Sequence, residues 1–174
     1  MTATGERVER VDEQDRVIGV VDRGEAVARQ WLHRVATTVC RDAHGRFLVH
    51  RRPETVSRFP GCHNWLIGGA VEPGESYERA AARELAEELG VRAPVRPLFR
   101  FLCRGAISPY WLGVHEAVVT GGLTPDPAEI DRYAWVTESE LWDMAGRRTF
   151  VPDGAAALRR HAATAGRPPA PPLP

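Results

Sequence analysis

The 174-residue chain predicts an α+β fold, in which a mixed β-sheet carries helices on its faces. Strand-like apolar segments come both before and after one strongly helical segment in the middle of the chain. The composition is that of an ordinary globular protein, with 43% apolar and 26% charged residues. A chain of this length buries a core without disulfides, which indicates one domain, or one domain plus a tail.

The N-terminal third predicts a β-hairpin, a short helix and then a second hairpin. Polar turn residues separate the strand-like segments, at 12–15 in the first hairpin and at 42–45 in the second. The elements predicted here are strands at 8–11 and 17–21, a helix at 23–30, and strands at 33–41 and 46–52.

The remaining two thirds predict a strand, the strong central helix, three further strands and two helices. The central helix ends naturally at Gly90, and Thr137 to Glu140 has the form of a capping box that opens a later helix. The elements predicted here are a strand at 62–71, a helix at 76–89, strands at 95–103, 110–119 and 132–136, and helices at 137–144 and 153–163. Residues 1–165 are assigned to one domain with an N-terminal hairpin extension, and the Pro-rich residues 166–174 to a disordered tail.

Charge and composition exclude several classes of function. Basic and acidic residues are equal, at 23 each, which argues against a bulk electrostatic grip on a nucleic acid polymer or an anionic membrane. No apolar run approaches the length of a membrane span, and no secretion signal is visible. The three cysteines are far apart and indicate reduced thiols, so we expect a cytoplasmic protein.

The central helix carries an unusual acidic cluster. Glu84, Glu87 and Glu88 have the spacing i, i+3 and i+4, which places three mutually repelling carboxylates on one helix face. Arg83 offsets part of this charge, and a divalent cation such as Mg²⁺ would offset the rest; a solvated acidic face is the alternative. The residues expected to form the buried stripe of the same helix are Ala81, Ala82, Leu85 and Leu89.

The spacing around these glutamates decides between the two interpretations. Gly69 is followed after five residues by Glu75, and after seven more by the segment 83–91, RELAEELGV. This pattern matches the Nudix box, a motif of 23 residues, so the chain resembles the Nudix hydrolase superfamily. The predicted strands and helices around the box are compatible with the Nudix fold over about residues 6–163. The resemblance implies a Nudix fold, which is an α/β/α sandwich whose box forms a loop–helix–loop. It also implies Mg²⁺- or Mn²⁺-dependent hydrolysis of a nucleoside diphosphate linked to another moiety.

The resemblance also implies roles for individual residues. Glu84, Glu87 and Glu88 match metal ligands, and Glu75 and Arg83 match a pair that orients the glutamate face. Gly69 and Gly90 match positions that support the site. Members of the family often send a further acidic residue from the loop before the last strand, and Glu129 is our choice, with Asp126 and Asp131 beside it. The candidate catalytic residues are Arg83, Glu84, Glu87 and Glu129.

The N-terminal half is similar to the branch of the superfamily that contains isopentenyl-diphosphate isomerases. The similarity lies in the segments 31–35, 46–52 and 59–61. In those isomerases a Cys in the strand before the box and a distant Glu move protons on an alkene. Gly68 stands at the position of that Cys, Ala70 replaces the nearby His, and 56–57 replaces a pair of Lys. We therefore expect a hydrolase on an isomerase-like scaffold.

Several alternatives stay open from the sequence. Adjacent strand residues point to opposite faces, so at most one of Arg51 and Arg52 should reach a diphosphate. His33 matches a metal ligand of the isomerases or is a core residue. An isomerase-like enzyme and a non-catalytic ligand-binding module are the rival functions, and a homodimer is compatible with the resemblance. The aromatic residues that either stack on a base or pack in the core are Trp65, Tyr110 and Trp111.

Overall fold

The computed structural model describes residues 5–164, so the proline-rich segment 166–174 lies outside the described residues. Within this range, no helix is long and apolar enough to cross a bilayer. In chain order the elements are β1 (Arg7–Val11), β2 (Val17–Asp22), α1 (Arg23–Ala28), β3 (Arg34–Arg41), β4 (Phe47–Arg51), β5 (His63–Asn64), β6 (Leu66–Ala70), α2 (Tyr77–Leu89), β7 (Arg96–Cys103), β8 (Tyr110–Val118), β9 (Arg132–Val136), α3 (Glu138–Ala145) and α4 (Pro152–Thr164).

The sheet is mixed, as the sequence predicts. Strands β1 and β2 form a separate antiparallel hairpin, and the other strands form a seven-stranded sheet. Strand β3 pairs in parallel with β8 and antiparallel with β4 and β6. The predicted single strand 62–71 is wrong in one respect, because it divides at Trp65 into β5, which pairs with β4, and β6, which pairs with β3. The Trp65 indole is fully buried and donates to the Gly154 carbonyl oxygen at 2.8 Å.

Helices cover both faces of this sheet, which confirms the α/β/α arrangement. Alternate residues of one strand face opposite layers. Phe47 packs in the cluster that contains Leu158 of α4, whereas Leu48 packs in the cluster that contains Leu85 of α2. Strand β4 therefore supplies two hydrophobic cores, one beneath α2 and one beneath α3 and α4.

Helix α2 begins and ends where its capping residues predict. The Ser76 hydroxyl accepts a hydrogen bond from the Arg79 N–H at 3.2 Å. Gly90 adopts a left-handed conformation with a φ of 67°, which glycine reaches without a Cβ penalty. Its N–H donates to the Ala86 carbonyl oxygen at 3.0 Å. The support that Gly90 gives to the site is therefore to end the helix directly after the acidic cluster.

The buried stripe of α2 differs from the prediction at one position. Ala82 is exposed, and Ala80 is buried instead. At about 100° per residue, Glu84 and Glu88 fall on the arc between Ala80 and Ala81. The helix is thus rotated so that its acidic positions turn inward, and this rotation moves Ala82 into solvent. The buried residues of the helix are Ala80, Ala81, Leu85 and Leu89.

The N-terminal hairpin is attached to the sheet through Asp15. This residue is buried and has a φ of 61°. Its carboxylate accepts from Arg34 Nε at 2.7 Å and from the Tyr77 hydroxyl at 3.1 Å, and it pairs with Arg100 Nη1 at 2.8 Å. Because these partners belong to β3, α2 and β7, one carboxylate joins the hairpin to three elements of the domain.

Asp15→Asn is therefore expected to lower the free energy of unfolding by about 2–3 kcal/mol, since it removes the charge that pairs with Arg100 and leaves Arg34 paired with Glu9 but not with position 15. Asparagine tolerates the left-handed backbone, so the substitution isolates the loss of charge. Urea denaturation followed by circular dichroism measures the change. The matched control is Glu25→Gln, which removes an exposed helical pair with Arg29 and should cost at most about 0.5 kcal/mol. Equal effects of the two substitutions would contradict this role of Asp15.

Candidate active site

A cleft of about 890 Å³ runs alongside α2. Its walls come from segments that are far apart in the sequence: the N-terminal hairpin with the start of α1, the strands β3, β4, β6 and β8, helix α2, the loop 52–62, the loop 119–131 and the start of α4. All three clustered glutamates, Glu84, Glu87 and Glu88, line this cleft. The acidic cluster therefore faces a cleft instead of an open surface of the helix.

The three carboxylates lie at different depths. The side chain of Glu87 is 60% exposed at the rim, whereas that of Glu84 is 13% exposed. Glu88 lies deepest, and burial together with the charges of Glu84 and Glu129 raises its pKa well above the ordinary value. Burial also raises the pKa of Glu84. The cleft thus concentrates negative charge in a poorly solvated place.

Arg83 joins the acidic residues into one network. Its Nε and Nη2 donate to the two carboxylate oxygens of Glu75, each at 3.0 Å, in a two-pronged pair. Its Nη1 donates to Glu84 at 2.7 Å and contacts Glu87 at 3.4 Å. Its Nη2 also donates to the Ala70 carbonyl oxygen at 3.0 Å. The guanidinium therefore fixes the Glu84 carboxylate relative to both α2 and the end of β6.

Two consecutive glycines let β6 pass close to its neighbours. A Cβ atom on Gly69 would lie 2.7 Å from Glu84 Oε1, so a side chain at this position would displace the carboxylate. Gly68 has a φ of 153°, and a Cβ atom there would lie 2.0 Å from the Ala36 carbonyl oxygen. The position that matches the catalytic Cys of the isomerases therefore has no room for any side chain on this backbone.

The two adjacent arginines point to different surroundings. Arg52 lines the cleft, and its Nη2 lies 4.0 Å from Glu129 Oε2. Arg51 is not among the residues that line the cleft; it binds Asp131 at 2.8 Å and also binds Glu54. The structure thus separates the pair as strand alternation requires, and Arg51 is no longer a candidate for substrate binding in this cleft.

The loop before β9 brings acidic residues to the cleft. Glu129 and Asp126 both line it, whereas Asp131 is turned toward Arg51. The Asp126 N–H donates to the Glu88 carbonyl oxygen at 2.8 Å, which ties the loop to the end of α2. The interpretation of Glu129 as a further site residue therefore agrees with its position.

The aromatic candidates have different positions. Trp65 is a core residue, and the Trp111 indole donates to the Asp12 carbonyl oxygen at 3.2 Å. Tyr110 lines the cleft, and its hydroxyl donates to Asp153. His33 is buried at the cleft wall, with its Nδ1 3.3 Å from the Trp31 carbonyl oxygen. Base stacking by Trp65 is therefore excluded.

Sequence reasoning missed two basic residues of the cleft. Arg23, at the start of α1, and Arg58, in the loop 52–62, both line it. No motif marks either residue, and they lie 35 positions apart, so only the folded chain brings them together.

Comparison with known proteins identifies the family. The NUDIX domain model matches residues 31–158. The chain belongs to the Nudix family. It is 42% identical to an uncharacterized Nudix hydrolase of Streptomyces coelicolor, over 92% of this chain and 90% of the relative. It is 38% identical to a Nocardia farcinica protein named isopentenyl-diphosphate Delta-isomerase, over 77% of this chain and 81% of the relative. A crystal structure of a Deinococcus radiodurans protein covers 89% of this chain and 98% of its own, with a TM-score of 0.77 and 32% identity.

The carboxylates of the Nudix helix fit a divalent cation by their chemistry. Oxygen ligands with full negative charge are those that Mg²⁺ and Mn²⁺ prefer. Glu88 is partly buried, and the charges of Glu84 and Glu129 act on it, so a cation there would offset the repulsion among three acidic groups. Among residues 5–164, however, no three His, Cys, Asp or Glu side chains form a ready-made ligand cluster. Arg83 instead contacts Glu84 and Glu87.

Gly68→Ala is expected to lower the free energy of unfolding by more than about 3 kcal/mol, because the methyl group would overlap the backbone of β3. The matched control is Gly74→Ala, where φ is 77° and nothing lies within 4 Å of the added Cβ. That substitution should lower the free energy of unfolding by only about 1–2 kcal/mol, because a residue with a Cβ is less stable than glycine in a left-handed backbone. Chemical denaturation of both variants measures the difference. A loss of stability in Gly68→Ala no larger than that in Gly74→Ala would contradict this expectation, because it would show that β6 moves to accommodate the methyl group.

Proposed function

We propose that this Nudix hydrolase cleaves a diphosphate linkage in a nucleoside-diphosphate-type small molecule, with Mg²⁺ or Mn²⁺ as the cofactor. The observation that carries the proposal is the position of Glu84, Glu87 and Glu88 on the wall of a large cleft, with Arg52 also lining it. A diphosphate is small and dense in negative charge, so its binding beside carboxylates requires cations between them.

Each residue of the site has a role in this proposal. A divalent cation held by Glu84, Glu87 and Glu88 would neutralise the diphosphate and make its phosphorus atoms more electrophilic. Arg52 would bind a phosphate oxygen. Arg83 would hold Glu84 in place through its pair with Glu75. A carboxylate must also take the proton of the attacking water, and Glu84 and Glu129 are the candidates for this base.

The isomerase alternative is less compatible with the site, although one relative carries that name. Proton transfer to an alkene needs an acid at the position of Gly68, and any side chain there would overlap β3. The ligand-binding alternative has no specific support either, since Glu84, Glu87 and Glu88 are all retained and all line the cleft.

The test is a screen for Mg²⁺-dependent hydrolysis, with products separated by ion-exchange chromatography. The compounds should include nucleoside di- and triphosphates, sugar nucleotides, dinucleotides, coenzyme A and isoprenoid diphosphates. Activity that disappears with EDTA and returns with excess Mg²⁺ or Mn²⁺ is expected, because the carboxylates alone repel the substrate. Hydrolysis that persists in EDTA would refute the metal assignment.

Glu88→Gln and Glu87→Gln are each expected to lower turnover by about 100-fold or more, since each removes a charged ligand that positions the reacting groups. The matched control is Glu78→Gln, an exposed position in the first turn of the same helix, which should leave turnover within about twofold because it does not touch the cleft. Thermal unfolding should confirm that all three variants fold. Turnover near that of the unmodified protein in either cleft variant would contradict the proposed role.

A further inference from the structure

The cleft contains a second charged region, formed by Arg23 and Arg58. The charged residues that act most strongly on the pKa of Arg58 are Arg23, Glu6 and Arg52. Those that act most strongly on the pKa of Glu88 are Glu84, Glu129 and Arg52. Arg52 therefore acts on both regions, so the cleft has an acidic region at α2, a basic region at the start of α1, and a guanidinium that is near to both.

Arg58 is held in place by its backbone, and the nearby charge of Glu6 compensates its guanidinium only in part. The Arg58 carbonyl oxygen accepts from Arg52 Nε at 2.9 Å. The next residue, Phe59, has a φ of 49°, and its carbonyl oxygen accepts from the Cys62 N–H at 3.2 Å. Among residues 5–164 the Arg58 guanidinium makes no hydrogen bond or ion pair within 4.0 Å. Partial burial, and then the charge of Arg23, lower its pKa. An anion bound to the guanidinium would offset both the cost of burial and the repulsion from Arg23.

Arg23 is partly compensated by a carboxylate of this chain. Its Nη1 pairs with Glu6 Oε2 at 2.6 Å, and the Arg23 N–H donates to the Glu6 carbonyl oxygen at 2.8 Å. Its Nε is buried without a hydrogen-bond partner in the described part of the chain. Glu6 therefore forms an ion pair with Arg23 and acts on Arg58 only from a greater distance, so the Arg58 guanidinium is the one left for a ligand in this region of the described chain.

We propose that Arg58 determines specificity by binding an anionic group that the substrate carries in addition to the diphosphate that is cleaved. The planar guanidinium suits two oxygens of a phosphate monoester or a carboxylate. The cleaved diphosphate belongs at the glutamates, so the extra group is placed toward the basic region of the same cleft. The inference rests on the proposed function and narrows the substrate class to diphosphates with a further anionic substituent.

The experiment compares compounds that differ only in that substituent. NADPH and NADH differ by one phosphate monoester, as do coenzyme A and dephospho-coenzyme A. UDP-glucuronate and UDP-glucose differ by one carboxylate, so the third pair separates the two kinds of anion. We expect the unmodified protein to show a kcat/KM about tenfold higher for the charged member of at least one pair, which is the effect of one charge-assisted contact.

Variants assign the preference to Arg58. Arg58→Gln is expected to bring the kcat/KM ratio of that pair close to one, and Arg58→Lys to retain part of it through charge alone. Glu6→Gln should increase the ratio, because it removes the negative charge that offsets the basic region. The matched control is Arg92→Gln, an exposed arginine that does not line the cleft, and it should leave the ratio unchanged.

The failure of this inference can be told apart from that of the proposed function. Calorimetric titration of the same pairs, with Ca²⁺ in place of Mg²⁺ so that an oxygen-binding cation is present, measures binding separately from turnover. A preference that depends on Arg58 in calorimetry, with no hydrolysis of any compound, would refute the hydrolase proposal and support the specificity role. Hydrolysis without a charged preference in any pair, or a preference that survives in Arg58→Gln, would overturn the specificity role.

Discussion

The burial of carboxylates on the inner face of α2 is the constraint on which the site depends. Glu84 and Glu88 lie on the same helical arc as the apolar residues that pack beneath the helix. Removing negative charge from water is costly unless partners compensate. Arg83 supplies part of the compensation to Glu84, and its pair with Glu75 keeps it in position. Glu88 is left facing other carboxylates, which is the arrangement that a divalent cation stabilises.

Close backbone approach is the second requirement of the site. Strand β6 passes beside both β3 and the Glu84 carboxylate, and only residues without a Cβ fit at Gly68 and Gly69. Gly68, which permits this approach, stands at the position where the isomerases carry their catalytic Cys, so this chain has no acid there. The scaffold shared with a relative named as an isomerase therefore supports a different chemistry here, because function depends on the groups placed in the site rather than on the fold.

The cleft is larger than a diphosphate alone requires, and its charges are unevenly distributed. The acidic region comes from one helix and one loop, whereas Arg23 comes from the start of α1, directly after the hairpin residue Asp22, and Arg58 from the loop after β4. The N-terminal hairpin thus supplies part of the cleft wall, and Asp15 secures it to β3, α2 and β7. A wall built from separate segments allows substrate specificity to change while the metal-binding helix stays the same.

The sequence by itself determined the local structure and the family. Capping residues, turn residues and hydrophobic spacing act within a few positions, so they predicted the limits of α2, the hairpins and the capping box of α3, which the structure confirms. The roles of the glutamates, Arg52 and Glu129 stay predictions, although all of these residues line one cleft. Only the tertiary structure decided which of Arg51 and Arg52 faces the cleft, where the strand at Trp65 divides, and why Ala82 is exposed. It also brought Arg23 and Arg58 together. Each of these depends on which distant segment packs against the residue, and no local pattern in the sequence records that contact.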